Sequence, residues 1–183
     1  MDLATLKQIL GIDATDTSFD TILNICIDSA KKVVENYIGT KLSKQTYTEI
    51  RRGNDDYVIY LKKVPVIDVV DAYVGTSPDF ADAEKITSNI LLLDKKIGKI
   101  FFKNNIFYST SYYKFIYSYG YDTIPQDIDY ALYLIAIHLY NSFDKIKDGA
   151  SKIQTPDGTI WYSQDFIPEP AKSILDKYKV VSI

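Results

Sequence analysis

The chain has 183 residues, 46% of them apolar, and carries 21 Lys and Arg against 24 Asp and Glu. That length holds one domain of moderate size, or a domain with an extended arm, and the apolar share is enough for a core. A net charge of −3, with Arg51 and Arg52 as the only guanidinium groups, argues against a protein that grips nucleic acid through its phosphates. Cys26 is the only cysteine, which excludes an internal disulfide framework and a cysteine zinc site and makes a reducing cytoplasm the simplest compartment. The opening Met1-Asp2-Leu3-Ala4 has no basic stretch before an apolar run, so no signal peptide is expected. The longest apolar stretch, Tyr130–Leu139, is interrupted by His138 and is too short to span a bilayer, so a soluble chain without a membrane partner is expected.

Leu3, Leu6, Ile9 and Leu10 share one side of a short helix over 3–12. After the polar break Asp13–Thr17, a long helix is predicted over 18–38, ended by Gly39. Its apolar stripe runs through Phe19, Leu23, Cys26, Ala30, Val34 and Tyr37, and Ile25 lies well outside it, where it is a candidate partner contact. The period then changes. Runs at 46–50, 57–61, 66–74, 90–93, 99–102 and 112–119 are rich in β-branched and aromatic residues and read as strands. Gly53–Asp56 and Lys95–Gly98 read as hairpin turns, and Gly75–Ser88 as an acidic loop. In the last run Tyr113, Phe115, Tyr117 and Tyr119 alternate with their neighbours and form an aromatic ladder on one face.

Pro125 opens a second long helix, 125–143, with Asp127 and Asp129 in the first turn, where the helix dipole favours negative charge. Ile128, Ala131, Leu132, Ile135 and Leu139 make one apolar face, but Tyr130, Tyr133, Leu134, Ile137 and Tyr140 cover the others. A helix apolar nearly all round needs burial on several sides, so these five residues, with Ile25, are the expected subunit interface. Asp148–Ser151 reads as a flexible link. A small hairpin carrying Trp161 and a final helix over 171–178 follow, and the chain closes on Val180, Val181 and Ile183. Apolar residues at that terminus predict docking, with Trp161, Ile174, Leu175, Tyr178, Val180, Val181 and Ile183 as the docking set.

Sixteen Tyr beside eight Phe suit surfaces that are exposed in a monomer and buried in an assembly; AT-rich codon usage explains them equally well. The residues offer little for catalysis. His138 is the sole histidine and reads as a packed, hydrogen-bonded side chain rather than a general base. Cys26 sits in an apolar stripe, where a thiol behaves as a small hydrophobe. Asp79, Asp82 and Glu84, like Asp55 and Asp56, lack the register of a calcium loop, and no phosphate-binding or dinucleotide motif occurs. The residues therefore predict no enzyme, no metal and no cofactor.

The joint order of elements carries a resemblance. A short helix leads to Ile12-Asp13, a helix ends in Val33-Val34-Glu35-Asn36-Tyr37-Ile38-Gly39, and strands hold Leu61-Lys62-Lys63-Val64-Pro65-Val66 and Leu93-Asp94…Gly98. Then Tyr119-Gly120-Tyr121-Asp122-Thr123-Ile124-Pro125-Gln126-Asp127-Ile128 introduces a helix, and Ile174-Leu175-Asp176-Lys177-Tyr178-Lys179 closes the chain. This resembles the head–tail connector proteins of tailed phages, also called adaptor or head-completion proteins. The loop at Gly75–Ser88 and the tyrosine content depart from that pattern.

The resemblance implies an α+β fold, predominantly helical: two long packed helices and a short N-terminal one, a small inserted antiparallel β region at 44–119, and a C-terminal hairpin and helix arm. It implies a core domain at 1–147 and a docking arm at 148–183. It further implies a protein made in the host cytoplasm and located in the virion neck, where a homo-oligomeric ring, typically twelve subunits, sits beneath the portal. The portal and a downstream neck or tail protein would be its partners, and DNA would pass through the lumen without sequence-specific binding. Another neck or tail-completion ring protein, or a peptide- or ligand-binding module using the tyrosine ladder, remains the alternative.

Overall fold

The structure, a computed structural model, describes residues 1–147, 152–155, 158–161 and 167–180, with side chains at 1–142 and 167–180. The chain folds as two compact units, one helical (within 1–39 and 125–179) and one of sheets (40–124 with Val180).

The helical unit holds α1 (Leu3–Leu10), α2 (Asp20–Ile38), α3 (Gln126–Lys147) and α4 (Glu169–Leu175). Asp2 caps α1 by accepting from the Thr5 backbone N–H at 2.8 Å, and Gly11 ends it in the left-handed region at φ +70°. Between α1 and α2 the Lys7 ammonium is buried, with an ion pair to Asp20 and a bond to the Asp16 carbonyl at 2.8 Å. A buried charge is tolerated only with such partners. The core is aliphatic: Leu6, Leu23, Ala30, Val34 and Ile38 meet Ile128, Ala131, Leu132, Ile135 and Ala136 of α3, with Ala171 and Leu175 from α4. Buried residues of α3 recur at three- and four-residue steps up to Ala136, and none from Ile137 to Ser142 is fully buried. The Tyr178 hydroxyl, just past α4, donates to the Asp127 carboxylate at 2.7 Å, and Tyr37 donates to Asp176.

The sheet unit contains β1 (Gln45–Arg52), β2 (Val58–Tyr60), β3 (Val66–Gly75), β4 (Glu84–Lys85), β5 (Ile90–Asp94), β6 (Lys99–Phe102) and β7 (Tyr112–Tyr119). One antiparallel sheet has the order β1-β7-β3-β4 and the other β2-β6-β5. Tyr113, Phe115 and Tyr117 from the centre of the first sheet join Ile59, Ile100 and Phe102 of the second, with Phe107, in one core. Phe107 packs edge-on to Tyr113, centroids 5.0 Å apart, in the geometry aromatic rings prefer. A further hairpin pairs β8 (Lys152–Thr155) with β9 (Gly158–Trp161).

Two expectations are corrected. The fold is not predominantly helical with a small inserted β region: it is a mixed α+β fold, 37% helical and 27% strand, with two antiparallel sheets of four and three strands. The strand runs were legible one by one, but no local pattern shows that they pair as two sheets and build a second core. Gly53–Asp56 is also no hairpin turn. β1 and β2 belong to different sheets, and this segment crosses between them by gripping another loop. The Asn54 and Asp55 N–H groups both donate to the Phe107 carbonyl, at 2.9 and 2.8 Å, and the Phe107 N–H donates to the Asp56 carbonyl. A side chain at Gly53 would place its Cβ 2.2 Å from that same carbonyl oxygen, which is why the position takes glycine. Lys95–Gly98 does close the β5–β6 hairpin.

Candidate functional site

Three places in the structure concentrate chemistry or exposed apolar surface. The first is polar and internal to the sheet unit. Glu49, in the middle of β1, is buried and accepts from the Tyr117 hydroxyl at 3.0 Å and from the Lys62 N–H at 2.9 Å, with the Arg51 guanidinium at 3.5 Å. Tyr117 in turn accepts from the Lys63 N–H at 2.9 Å, and Arg51 donates to the Tyr60 carbonyl at 2.6 Å. Burial, with the Glu49 carboxylate beside it, pushes the Tyr117 phenol far above its usual range. The Glu49 carboxylate and the Tyr117 hydroxyl are both hydrogen-bonded, so the cluster ties β1 and β7 to the segment after β2.

The second is the helical surface expected to meet other subunits. Tyr130 and Ile25 are 57% and 54% exposed, whereas Tyr133, Leu134, Ile137 and Tyr140 are half-buried. The Tyr133 hydroxyl accepts from the Asp2 N–H at 3.1 Å. Of the expected docking set, Leu175 is fully buried within the helical unit, Ile174 and Tyr178 are half-buried, and Val180 packs against the sheet core. Trp161 ends β9, and its side chain lies outside the described residues, as do Val181 and Ile183.

The third was not legible beforehand. β5 reads Ile90-Leu91-Leu92-Leu93 without polar alternation, so its period hides which leucines face out. In the structure Ile90 and Leu92 pack on the core and Leu91 and Leu93 are exposed, while Tyr57 and Tyr60, also exposed, lie on the other side of β6. Only pairing with β6 settles this.

The catalytic and metal candidates occupy ordinary positions. Cys26 is buried, and burial pushes its thiol up. His138 is half-buried on α3, and its carbonyl accepts from the Ser142 hydroxyl at 2.7 Å. Among the described residues no group of three or more His, Cys, Asp or Glu is placed to hold a metal ion, and no helix is long and apolar enough to cross a membrane. Of the tyrosine ladder, Phe115 and Tyr117 are wholly within the core, and Tyr113 borders a cleft of about 260 Å³ edged by Lys103, Asn104 and Tyr108.

Comparison with known proteins gives the class. The sequence matches the head completion protein family over residues 1–181. The chain therefore belongs to the head completion protein family, and the resemblance read from its sequence is borne out. Its fold is similar to a chain in the neck of an empty gene transfer agent particle computed with C6 symmetry, with TM-score 0.65 and 15% identity over 100% of this chain and 91% of that one. A chain from the virion of a native gene transfer agent particle has TM-score 0.61 at 14% identity, with the same coverage. A third, from the neck of a native particle computed with C12 symmetry, has TM-score 0.58 at 14% identity over 88% and 84% of the two chains. At these identities the likeness establishes the fold. No curated protein matches the sequence.

Proposed function

We propose that this chain is a structural subunit of a virion neck, assembled as a ring beneath the portal, where it links capsid to tail and extends the channel through which DNA passes. Membership of the head completion family over nearly the whole chain carries this reading. The C6 and C12 symmetries of the similar neck structures are those of a ring, and twelve copies satisfy both. The portal and a downstream neck or tail protein are its partners, and its part in the virion is structural rather than catalytic.

The apolar face of α3 past Ala136 supports the same reading. A helix end with Ile137, Leu139 and Tyr140 all half-exposed is unfinished as a monomer surface and suits completion by another chain. A net charge of −3 suits a channel wall that does not hold passing DNA. The test is electron microscopy and native mass spectrometry of the purified chain with its portal. A closed ring of this chain on the portal is expected, and a chain that stays monomeric and ignores the portal would sink the proposal.

A further inference from the structure

Rings are built from heterologous contacts, in which one patch of a subunit meets a different patch of the next, so a ring-forming chain needs two complementary surfaces. The helical unit offers one, at Ile25 and Tyr130. The three-stranded sheet offers a second. There Ile59, Ile100 and Leu92 lie in register and turn into the core, while the next row, Val58, Phe101 and Leu91, turns outward. Tyr57 is 50% exposed and stacks on Phe101 with ring centroids 6.0 Å apart, Leu91 pairs opposite Phe101, and Leu93, further along β5, is 54% exposed. Single apolar residues on a surface are ordinary, but a contiguous set across three strands marks an interaction face.

Charge identifies what covers it. Lys95, Lys96 and Lys99 stand on the β5–β6 hairpin of this sheet, and among the described residues none of their ammonium groups forms an ion pair, although Asp94 lies opposite Lys99 in the strand register. Residues 40–124 carry 12 Lys and Arg against 10 Asp and Glu, whereas residues 1–39 and 125–179 carry 9 against 14. The chain is thus polarised, with a basic sheet unit and an acidic helical unit. A lysine-rimmed apolar face fits an acidic surface with apolar residues of its own. α2, in that acidic unit, has exposed Ile25 one turn from exposed Asp28, whose carboxylate also meets the Lys31 ammonium at 3.5 Å.

We infer that the outward face of the three-stranded sheet, with Tyr57, Leu91, Leu93 and Phe101 at its centre and the lysines at its rim, docks on the helical unit of the next copy, over Ile25 and Asp28. This rests on the ring reading above and gives that ring its second surface. Opposed charges would set the order of docking and the apolar residues would hold it, a division of labour common at interfaces.

The experiment mixes light and heavy-isotope full-length chains at a concentration where they assemble, with the portal present, and joins touching lysines and carboxylates with a carbodiimide. Light-to-heavy links from Lys95, Lys96 or Lys99 to acidic residues of 1–39 are expected. In parallel, the Leu91→Glu/Leu93→Glu variant should raise the concentration needed for half-assembly at least tenfold and leave the thermal midpoint unchanged. Assembly with these lysines linked only to the sheet unit of the next copy, to the portal, or to nothing overturns the inference and leaves the ring standing. A chain monomeric under every condition overturns both.

Discussion

The helical and sheet units place the same residue type on opposite sides of their surfaces. Among the described residues, the helical core contains no aromatic side chain: Leu, Ile, Val, Ala and Cys26 fill it, while Phe19, Tyr37, Tyr130, Tyr133 and Tyr140 lie at or near the surface. In the sheet unit Tyr113, Phe115, Tyr117, Phe102 and Phe107 are the core. Helices packed closely along their length want small and aliphatic side chains, whereas two short-stranded sheets about 10 Å apart need long rings to fill the gap between them. Tyrosine abundance in this chain therefore has two separate physical meanings, core filler in one unit and exposed surface in the other.

Phe115→Ala attacks the aromatic core directly and should destabilise the protein by about 3–5 kcal/mol in urea unfolding, the usual consequence of emptying a buried ring site. Gly53→Ala should destabilise by roughly 1–3 kcal/mol, because its Cβ meets the Phe107 and Tyr108 carbonyls at 2.2 and 2.3 Å and the crossover must shift. If Gly53→Ala unfolded like the parent, the grip of this segment on the Phe107 loop would be misassigned.

Tyr117→Phe sharpens the comparison, since it keeps the ring and removes only the hydroxyl that donates to Glu49. A loss of about 1–3 kcal/mol is expected, because the buried carboxylate is left short of a donor. The folded-state value of Tyr117 lies above the unfolded value of 10.0, so its neutral form favours folding. That contribution is complete below pH 10 and is lost as the pH rises beyond it, by up to ~1.4 kcal/mol per pH unit. The Phe variant should lack this share of the alkaline slope, so parallel curves above pH 10 would show that Tyr117 is not shielded.

Tyr130→Ala should have the smallest effect on stability, within about 0.5 kcal/mol, since the side chain is 57% exposed. Its effect should fall on ring assembly instead. A loss of stability comparable to that of Phe115→Ala would end the distinction between core and surface aromatics.

Much of the local structure was legible in the sequence. β7 occupies the residues its alternation predicted, 112–119, because a strand buried on one face repeats every two residues. α2 ends at Ile38 before Gly39, and α3 starts after Pro125, because cap chemistry is carried by single residues. The candidate surfaces were legible only in part. Tyr130 and Ile25 stood outside their helices' apolar stripes and are exposed, but Leu175, expected to dock, is buried by α2 and α3, neighbours its own short helix does not reveal.

The sequence alone thus determined the helix limits, most strand positions, the scarcity of catalytic groups and the kinship with head completion proteins, all of which rest on patterns a few residues long or on their order. Tertiary structure decided which strands pair. β1 pairs with β7, Gln45 opposite Tyr119, across more than seventy residues, and β2 leaves its chain neighbour for β6. A strand offers the same row of N–H and C=O groups to any partner, so pairing follows from which side chains fit together in the core, and no local period records it. The outward face of Leu91 and Leu93 exists only because of that choice.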